Sequence, residues 1–160
     1  MKKTAVGKNL TLYFDKYFPA VNKKRAFFKH VVLIGLGGNI GNVRKRFEKL
    51  YLFLEKDRRF HIVKSSPVLK NPPFGYTDQD DFFNSLLLIQ TSMMPRELLK
   101  TLLRIEKRFG RVRSFKNAPR SLDLDIIFFD SLKLNGKRLT VPHPQWSQRE
   151  SVLIPLAYLQ

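Results

Sequence analysis

The sequence contains no cysteine. A disulfide scaffold, a thiolate metal site and a cysteine nucleophile are therefore excluded, and a cytoplasmic location is expected. Acidic residues are scarce, with 13 Asp/Glu against 30 Lys/Arg and a formal net charge of +17. That imbalance points to anionic partners: nucleic acid, phosphorylated small molecules or an anionic membrane surface. No apolar window reaches transmembrane length, so no membrane span is expected. The opening "MKKTA" looks like a secretion signal, but no apolar core follows it before Asp15 and Lys16. No Walker A sequence is present, and the dinucleotide fingerprint fails because Ile40 stands where its last glycine or alanine belongs.

What is present suits one folded domain. A chain of 160 residues that is 43% hydrophobic can bury a real core. The charge is uneven. Residues 1–30 hold eight Lys/Arg and one Asp, a net +7, which leaves +10 for residues 31–160. We therefore expect a basic N-terminal extension over 1–29 and a single folded domain over 30–160. The extension reads either as a basic extension of uncertain order or as an arm for a membrane surface or RNA, its apolar weight coming from Leu10, Leu12, Phe14 and Phe18 among others.

The periodicities predict a simple order of elements. "HVVLIGLGG", His30 to Gly38, reads as a central strand ending in a glycine turn. Val43, Phe47, Leu50, Tyr51 and Leu54 recur at helical spacing, with Asn42 placed to cap and an end near Asp57. "FHIVKSS" predicts a second strand, and residues 67–81, with three prolines and a glycine, a long functional loop. "FFNSLLLIQTS" predicts a third strand. Pro95 opens a second helix that Gly110 stops. "PRSLDLDIIFFD", Pro119 to Asp130, is a fourth, apolar strand. The order βαββαβ predicts an α+β, ferredoxin-like sandwich, with an added C-terminal hairpin around Asn135-Gly136 and a final helix.

That fourth strand carries Asp123 and Asp125. Alternation puts both on one face, about 7 Å apart. Two like charges so close are unfavourable when buried. Either a hard divalent cation takes their oxygens, or both lie on a solvated sheet end paired with arginines. Arg111, Arg113, Lys116 and Arg120 precede the pair, and Arg138, His143 and Arg149 follow. Guanidinium forks match phosphate oxygens, so two carboxylates among these cations fit a polyphosphate with its magnesium. His143 is held between Pro142 and Pro144, ready to donate to a phosphate or to serve as a structural hydrogen-bonder. Phe82 and Asn84 can stack on and hydrogen-bond a flat heterocycle, or be ordinary core residues. The basic charge also leaves open an RNA-binding module on the same scaffold.

"KNAPRSLDLDII", Lys116 to Ile127, closely resembles the signature of the 6-hydroxymethyl-7,8-dihydropterin pyrophosphokinase family of folate biosynthesis. "GLGGNIGN", "NPPFGYTDQDDFFNSLL" and "RLTVPHPQWSQRESVLIPL" are similar to that family's first strand and turn, its pterin loop and its C-terminal motif. The resemblance spans about residues 31–157. It implies transfer of diphosphate from ATP to the pterin's hydroxymethyl oxygen, leaving AMP, in a monomer that binds no nucleic acid. It implies two Mg²⁺ on Asp123 and Asp125 and catalytic roles for Arg111 and Arg120. ATP contacts are implied for Glu106, Arg113, Lys116, Ile126, Arg138, His143 and Arg149. Asn71, Pro72, Pro73, Phe74, Phe82, Asn84, Asn117 and Ser151 fall in the implied pterin pocket. The loops at 67–81 and 111–119 would close over the substrates. This sequence departs from the family pattern at Gly38, usually serine, at Asn117, aromatic in some members, and at Ser151, where an aromatic normally stacks on the second face of the pterin. Ser151 and Asn117 keep open a third reading, an inactive homologue.

Overall fold

The centre of the molecule is β4 (His30–Gly38), which pairs along all nine residues on one edge and from Val32 to Gly37 on the other. The computed structural model describes residues 2–112 and 114–160. On one side β4 pairs antiparallel with β7 (Phe82–Thr91), and on the other with β8 (Asp123–Phe129). The two ends of β7 hold different neighbours: β5 (Phe60–Ser65) along Leu87–Thr91, and β6 (Val68–Asn71) along Phe82–Asn84. Every ladder is antiparallel.

Two helices cover one face. α1 (Val43–Lys56) starts where expected: the Asn42 side chain accepts the Lys45 N–H at 3.2 Å and caps it. α2 (Pro95–Arg108) begins at the proline and stops before Gly110, whose φ of +87° suits glycine best. Phe47, Leu50 and Leu54 of α1 meet Leu98, Leu102 and Ile105 of α2 over Val32, Ile34, Leu36, Leu124 and Ile126 of the sheet. The short α3 (Glu150–Ala157) lies on the opposite face, where Val152 packs with Leu33, Leu86 and Ile127. The molecule is thus an α+β fold on a mostly antiparallel sheet.

Three features differ from the sequence expectation. First, residues 2–21 are built into the sheet. β1 (Lys2–Gly7) and β2 (Leu10–Phe14) form a hairpin that joins β6, and β3 (Ala20–Val21) joins β5. The reason is apolar: Leu12 and Phe18 are fully buried, Phe18 among Phe47 and Tyr51. Arg44 also holds the Asp15 carboxylate at 2.6 and 2.9 Å, beneath the ring of Tyr13. Second, the proline-rich stretch is not loop throughout. β6 forms between Pro67 and Pro72 because both β2 and β7 supply partners. Third, the expected C-terminal hairpin forms, but with Asn135 itself in β9 (Leu134–Asn135), opposite Thr140 of β10 (Thr140–Val141), and residues 136–139 as the turn.

Candidate active site

The site is laid out by the register of β4. Gly35 faces Asp125, and Gly37 faces both Asp123 and Asn84. These glycines keep the floor low. A Cβ on Gly37 would meet Asn84 Oδ1 at 2.9 Å, and one on Gly35 would meet Ile127 Cδ1 at 3.3 Å. The two aspartates and the amide therefore share one open floor. Sequence reading placed the glycine run at a turn, yet only Gly41, with φ +70°, turns the chain, while Gly35, Gly37 and Gly38 lie in β4. A Cβ at Gly38 would come within 2.6 Å of the Ser121 carbonyl, so glycine here follows from close backbone approach.

Above this floor is a cavity of about 350 Å³. One wall is the segment Asn71 to Phe74, the far wall is Ser151 and Val152 of α3, and Phe82, Asn84, Asn117 and Arg120 close the rest. Asp123, Asp125, His143 and Arg149 line its polar end. The eight residues expected in the pterin pocket thus line one chamber with Arg120, Asp123, Asp125, His143 and Arg149. Asn84 donates to Asn71 Oδ1 at 2.7 Å, which fixes both amides.

The acids are flanked by cations. Arg111 Nη1 donates to Asp123 Oδ1 at 2.6 Å and lies 3.0 Å from Glu106 Oε2; Arg120 Nη1 reaches Asp123 Oδ2 at 3.3 Å. Burial, then the charges of Asp123 and Glu106, push the Asp125 carboxyl up to about 7, against the pull of Arg149 and Arg111. A carboxyl so raised among other carboxylates suits a bound cation, and hard oxygen donors are what magnesium takes. No cluster of three or more His, Cys, Asp or Glu occurs among the described residues. A pair of carboxylates completed by water and substrate phosphates is a donor set that magnesium takes.

His143 is set for donation. Burial, with Arg149 nearby, lowers its pKa below the usual histidine value. Its Nδ1 accepts the Gln145 N–H at 3.2 Å, which puts the imidazole proton on Nε2. Arg149 donates to Gln145 Oε1 at 2.5 Å, and its Nε is buried with no hydrogen-bond partner among the described residues. An anionic oxygen satisfies such a donor.

Other expected residues lie elsewhere. Glu106 is buried beneath the floor, accepting the Leu124 N–H at 2.7 Å. Ile126 points into the core on the helical side of the sheet. Lys116 lines a neighbouring hollow with Arg111 and Arg120. Arg138 is exposed in the β9–β10 turn and does not line the cavity. Arg113 lies outside the described residues.

Sequence reasoning missed Asn39 and Gln79. Asn39 Nδ2 donates to Gln79 Oε1 at 2.8 Å, while its Oδ1 accepts the Arg120 N–H at 3.0 Å. Gln79 in turn donates to the Asn117 carbonyl at 2.8 Å. With Tyr76 edge-on to Phe115 at 5.1 Å, this chain ties the loop after β6 to the loop before β8. The one available signal was a lone amide, Asn39, ending an apolar strand.

A family model for 7,8-dihydro-6-hydroxymethylpterin-pyrophosphokinase matches residues 33–160. The chain is also similar to proteins named 2-amino-4-hydroxy-6-hydroxymethyldihydropteridine pyrophosphokinase. That of Helicobacter pylori is 43% identical over 148 residues, covering 91% of each chain. That of Campylobacter jejuni is 44% identical over 149 residues, covering 92% of this chain and 95% of its own. That of Bacillus subtilis is 36% identical over 128 residues, covering 80% of this chain and 77% of its own. Matches of this length and identity, over the strands that carry the cavity, show that the chain belongs to the 7,8-dihydro-6-hydroxymethylpterin-pyrophosphokinase family.

Proposed function

We propose that this protein transfers diphosphate from ATP to the hydroxymethyl oxygen of 6-hydroxymethyl-7,8-dihydropterin, giving AMP and the pterin diphosphate in folate biosynthesis. The observation that carries this is the pairing, in one cavity, of an amide-and-aromatic end with an aspartate pair ringed by arginines. In the reaction the pterin oxygen bonds to the β-phosphorus and the bond from that phosphorus to the α-phosphate oxygen breaks. Charge must be neutralised throughout, and no covalent nucleophile is needed.

The residues divide as follows. Asn84 and Asn71 read the edge of the pterin, Phe82 stacks on one face, and Pro72, Pro73, Phe74, Asn117 and Ser151 enclose it. Arg111 and Arg120 neutralise the diphosphate in transit. His143 donates through Nε2, and Arg149 through its buried Nε, to phosphate oxygens. Glu106 holds Arg111 in place. Lys116, Arg113 and Arg138 would serve the nucleotide by the family resemblance alone, and Ile126, facing the helical core, supports the floor from below. Asp123 and Asp125 would hold Mg²⁺, two ions by the family resemblance, and the metal supplies charge neutralisation at the phosphates. The loops joined through Asn39 and Gln79 close on the substrates and exclude water.

At the level of fold, the order β8-β4-β7-β5 with α1 and α2 on one face supports a ferredoxin-like core. We take residues 30–160 as the catalytic domain and 1–29 as an extension added to its sheet, in a monomer acting in the cytoplasm. None of the helices among the described residues is long and apolar enough to cross a membrane. An RNA-binding module is disfavoured: the sheet face an RNA would cross is covered by α3 and holds Asp123 and Asp125. The Gln79 contact at residue 117 is to its backbone carbonyl and is independent of the side chain there, so the inactive-homologue reading is decided by activity.

The test is product analysis. Incubation with ATP, Mg²⁺ and the hydroxymethyldihydropterin, followed by phosphorus NMR, should show AMP and a pterin diphosphate in equal amounts. ADP with a pterin monophosphate, or unreacted ATP, would overturn the assignment.

A further inference from the structure

Ser151 offers the cavity only a small hydroxyl, which gives a flat ring no apolar face to pack on. The residue beside it comes from outside the family match, which begins at residue 33. Leu10, the first residue of β2, lines the same cavity with Ser151, Val152, Asn71 and Phe74, and is only 8% exposed.

Its position is dictated by pairing. β2 runs antiparallel to β6, with Leu12 opposite Leu69 and Thr11 opposite Lys70. One step further along this ladder brings Leu10 beside Asn71, an edge residue of the cavity. The hairpin turn reinforces the placement. Asn9 takes a positive φ of 59°, and Gly7 lies opposite Leu10, where a Cβ would meet Leu10 Cδ1 at 2.9 Å. Leu10 also packs with Leu12, Leu69 and Ile154 of α3, and Phe14 meets Tyr158 edge-on at 6.2 Å. The hairpin is therefore clamped to the helix that carries Ser151.

From this geometry we infer that Leu10 is a specificity-determining residue: the N-terminal hairpin supplies the apolar wall for the flat heterocycle that Ser151 does not. The inference rests on the pyrophosphokinase reading and deepens it. A branched aliphatic side chain gives a ring face dispersion contact and excludes water from it, without the directional demands of an aromatic pair. The cavity wall then depends on a segment that the catalytic core alone does not contain.

The test is calorimetric titration of the pterin into full-length protein saturated with a non-hydrolysable ATP analogue and Mg²⁺, with a separate titration of the analogue. Leu10→Ala should weaken pterin binding about tenfold, the size of effect that loss of a few apolar contacts produces, and leave the analogue's affinity unchanged. Leu12→Ala is the control. It removes a still more deeply buried leucine of the same strand that does not line the cavity, and pterin affinity should stay at the wild-type value. If Leu10→Ala does not fold, Leu10→Val keeps a strand-favouring side chain and should weaken pterin binding about threefold. Unchanged pterin affinity in the folded Leu10 variant overturns the inference, as does an equal loss in the Leu12 variant. A wild-type protein that binds the analogue but no pterin overturns both the inference and the functional reading beneath it.

Discussion

A single guanidinium, that of Arg111, bridges two carboxylates from different elements: Asp123 Oδ1 of β8 at 2.6 Å and Glu106 Oε2 of α2 at 3.0 Å. Burial works against the charge of Arg111, but Asp123 and Glu106 outweigh it and raise its pKa. A positive charge held this firmly at the end of the aspartate pair is placed for a migrating diphosphate. Arg111→Ala should lower kcat about 10²-fold or more, as loss of a donor to developing charge does. The KM for the pterin should change little, since Arg111 does not line the pterin cavity. Steady-state kinetics in both substrates would check this, and an unchanged kcat would remove Arg111 from the transfer step.

The Asp125 carboxyl, pushed up to about 7, makes the metal-free protein sensitive to pH. The folded state binds this proton more tightly than the unfolded chain, so it contributes stability at low pH. That contribution is complete below about pH 4 and is lost as pH rises through about 7. His143, with its lowered pKa, acts in the opposite sense below the usual histidine value, so the informative quantity is a difference between variants. Thermal melts without metal at about pH 5 and about pH 8 should show a larger fall in Tm for the wild type than for Asp125→Asn. Equal slopes would mean that Asp125 is not titrating in this range.

Two adjacent glycines should fail differently. Gly37→Ala places a methyl 2.9 Å from the Asn84 amide, a side chain that can swing aside. The fold should survive while the KM for the pterin rises, because Asn84 loses its alignment with Asn71. Gly38→Ser adds a Cβ that would lie 2.6 Å from a backbone carbonyl that cannot yield without moving the chain. We expect about 1–3 kcal/mol of destabilisation in denaturant titration. A fully stable Gly38→Ser protein would show that the Arg120–Ser121 backbone is softer than its packing suggests.

Asn39→Ala cuts the tie between the two loops at its centre. It leaves the Arg120 N–H and the Gln79 amide short of partners, at about 1–3 kcal/mol. Loop closure should slow, with kcat reduced and amide exchange accelerated around Gln79 and Asn117. Unaltered exchange at Asn117 would mean that Asn39 acts only within its own turn.

Much of the core and its chemistry was legible in the sequence because the signals were local. Asn42 and Pro95 announce their helices through caps and fixed φ, and Asp123 and Asp125 share a face by alternation alone. What escaped depended on partners far along the chain. The alternation of Leu10, Leu12 and Phe14 is a strand signal, but the charge around it suggested a loose leader, and only Leu69 and Ile154 show where those leucines go. β6 was hidden by its flanking prolines, since its pairing with β2 and β7 leaves no local trace. The role of Gly35 and Gly37 as a bare floor likewise emerges only when Asp125, Asp123 and Asn84 are set opposite them.

The aspartate pair carries the whole reading. The most direct measurement is the rate of AMP formation from ATP and the hydroxymethyldihydropterin by wild type and by Asp123→Asn/Asp125→Asn, with Mg²⁺ and with circular dichroism to confirm that both are folded. The neutral amides keep the shape of the floor and remove the charge that draws the cation. AMP formation should fall to background in the folded double variant while pterin binding persists. AMP release by that variant at a rate near the wild type's would contradict a metal-triphosphate site on Asp123 and Asp125.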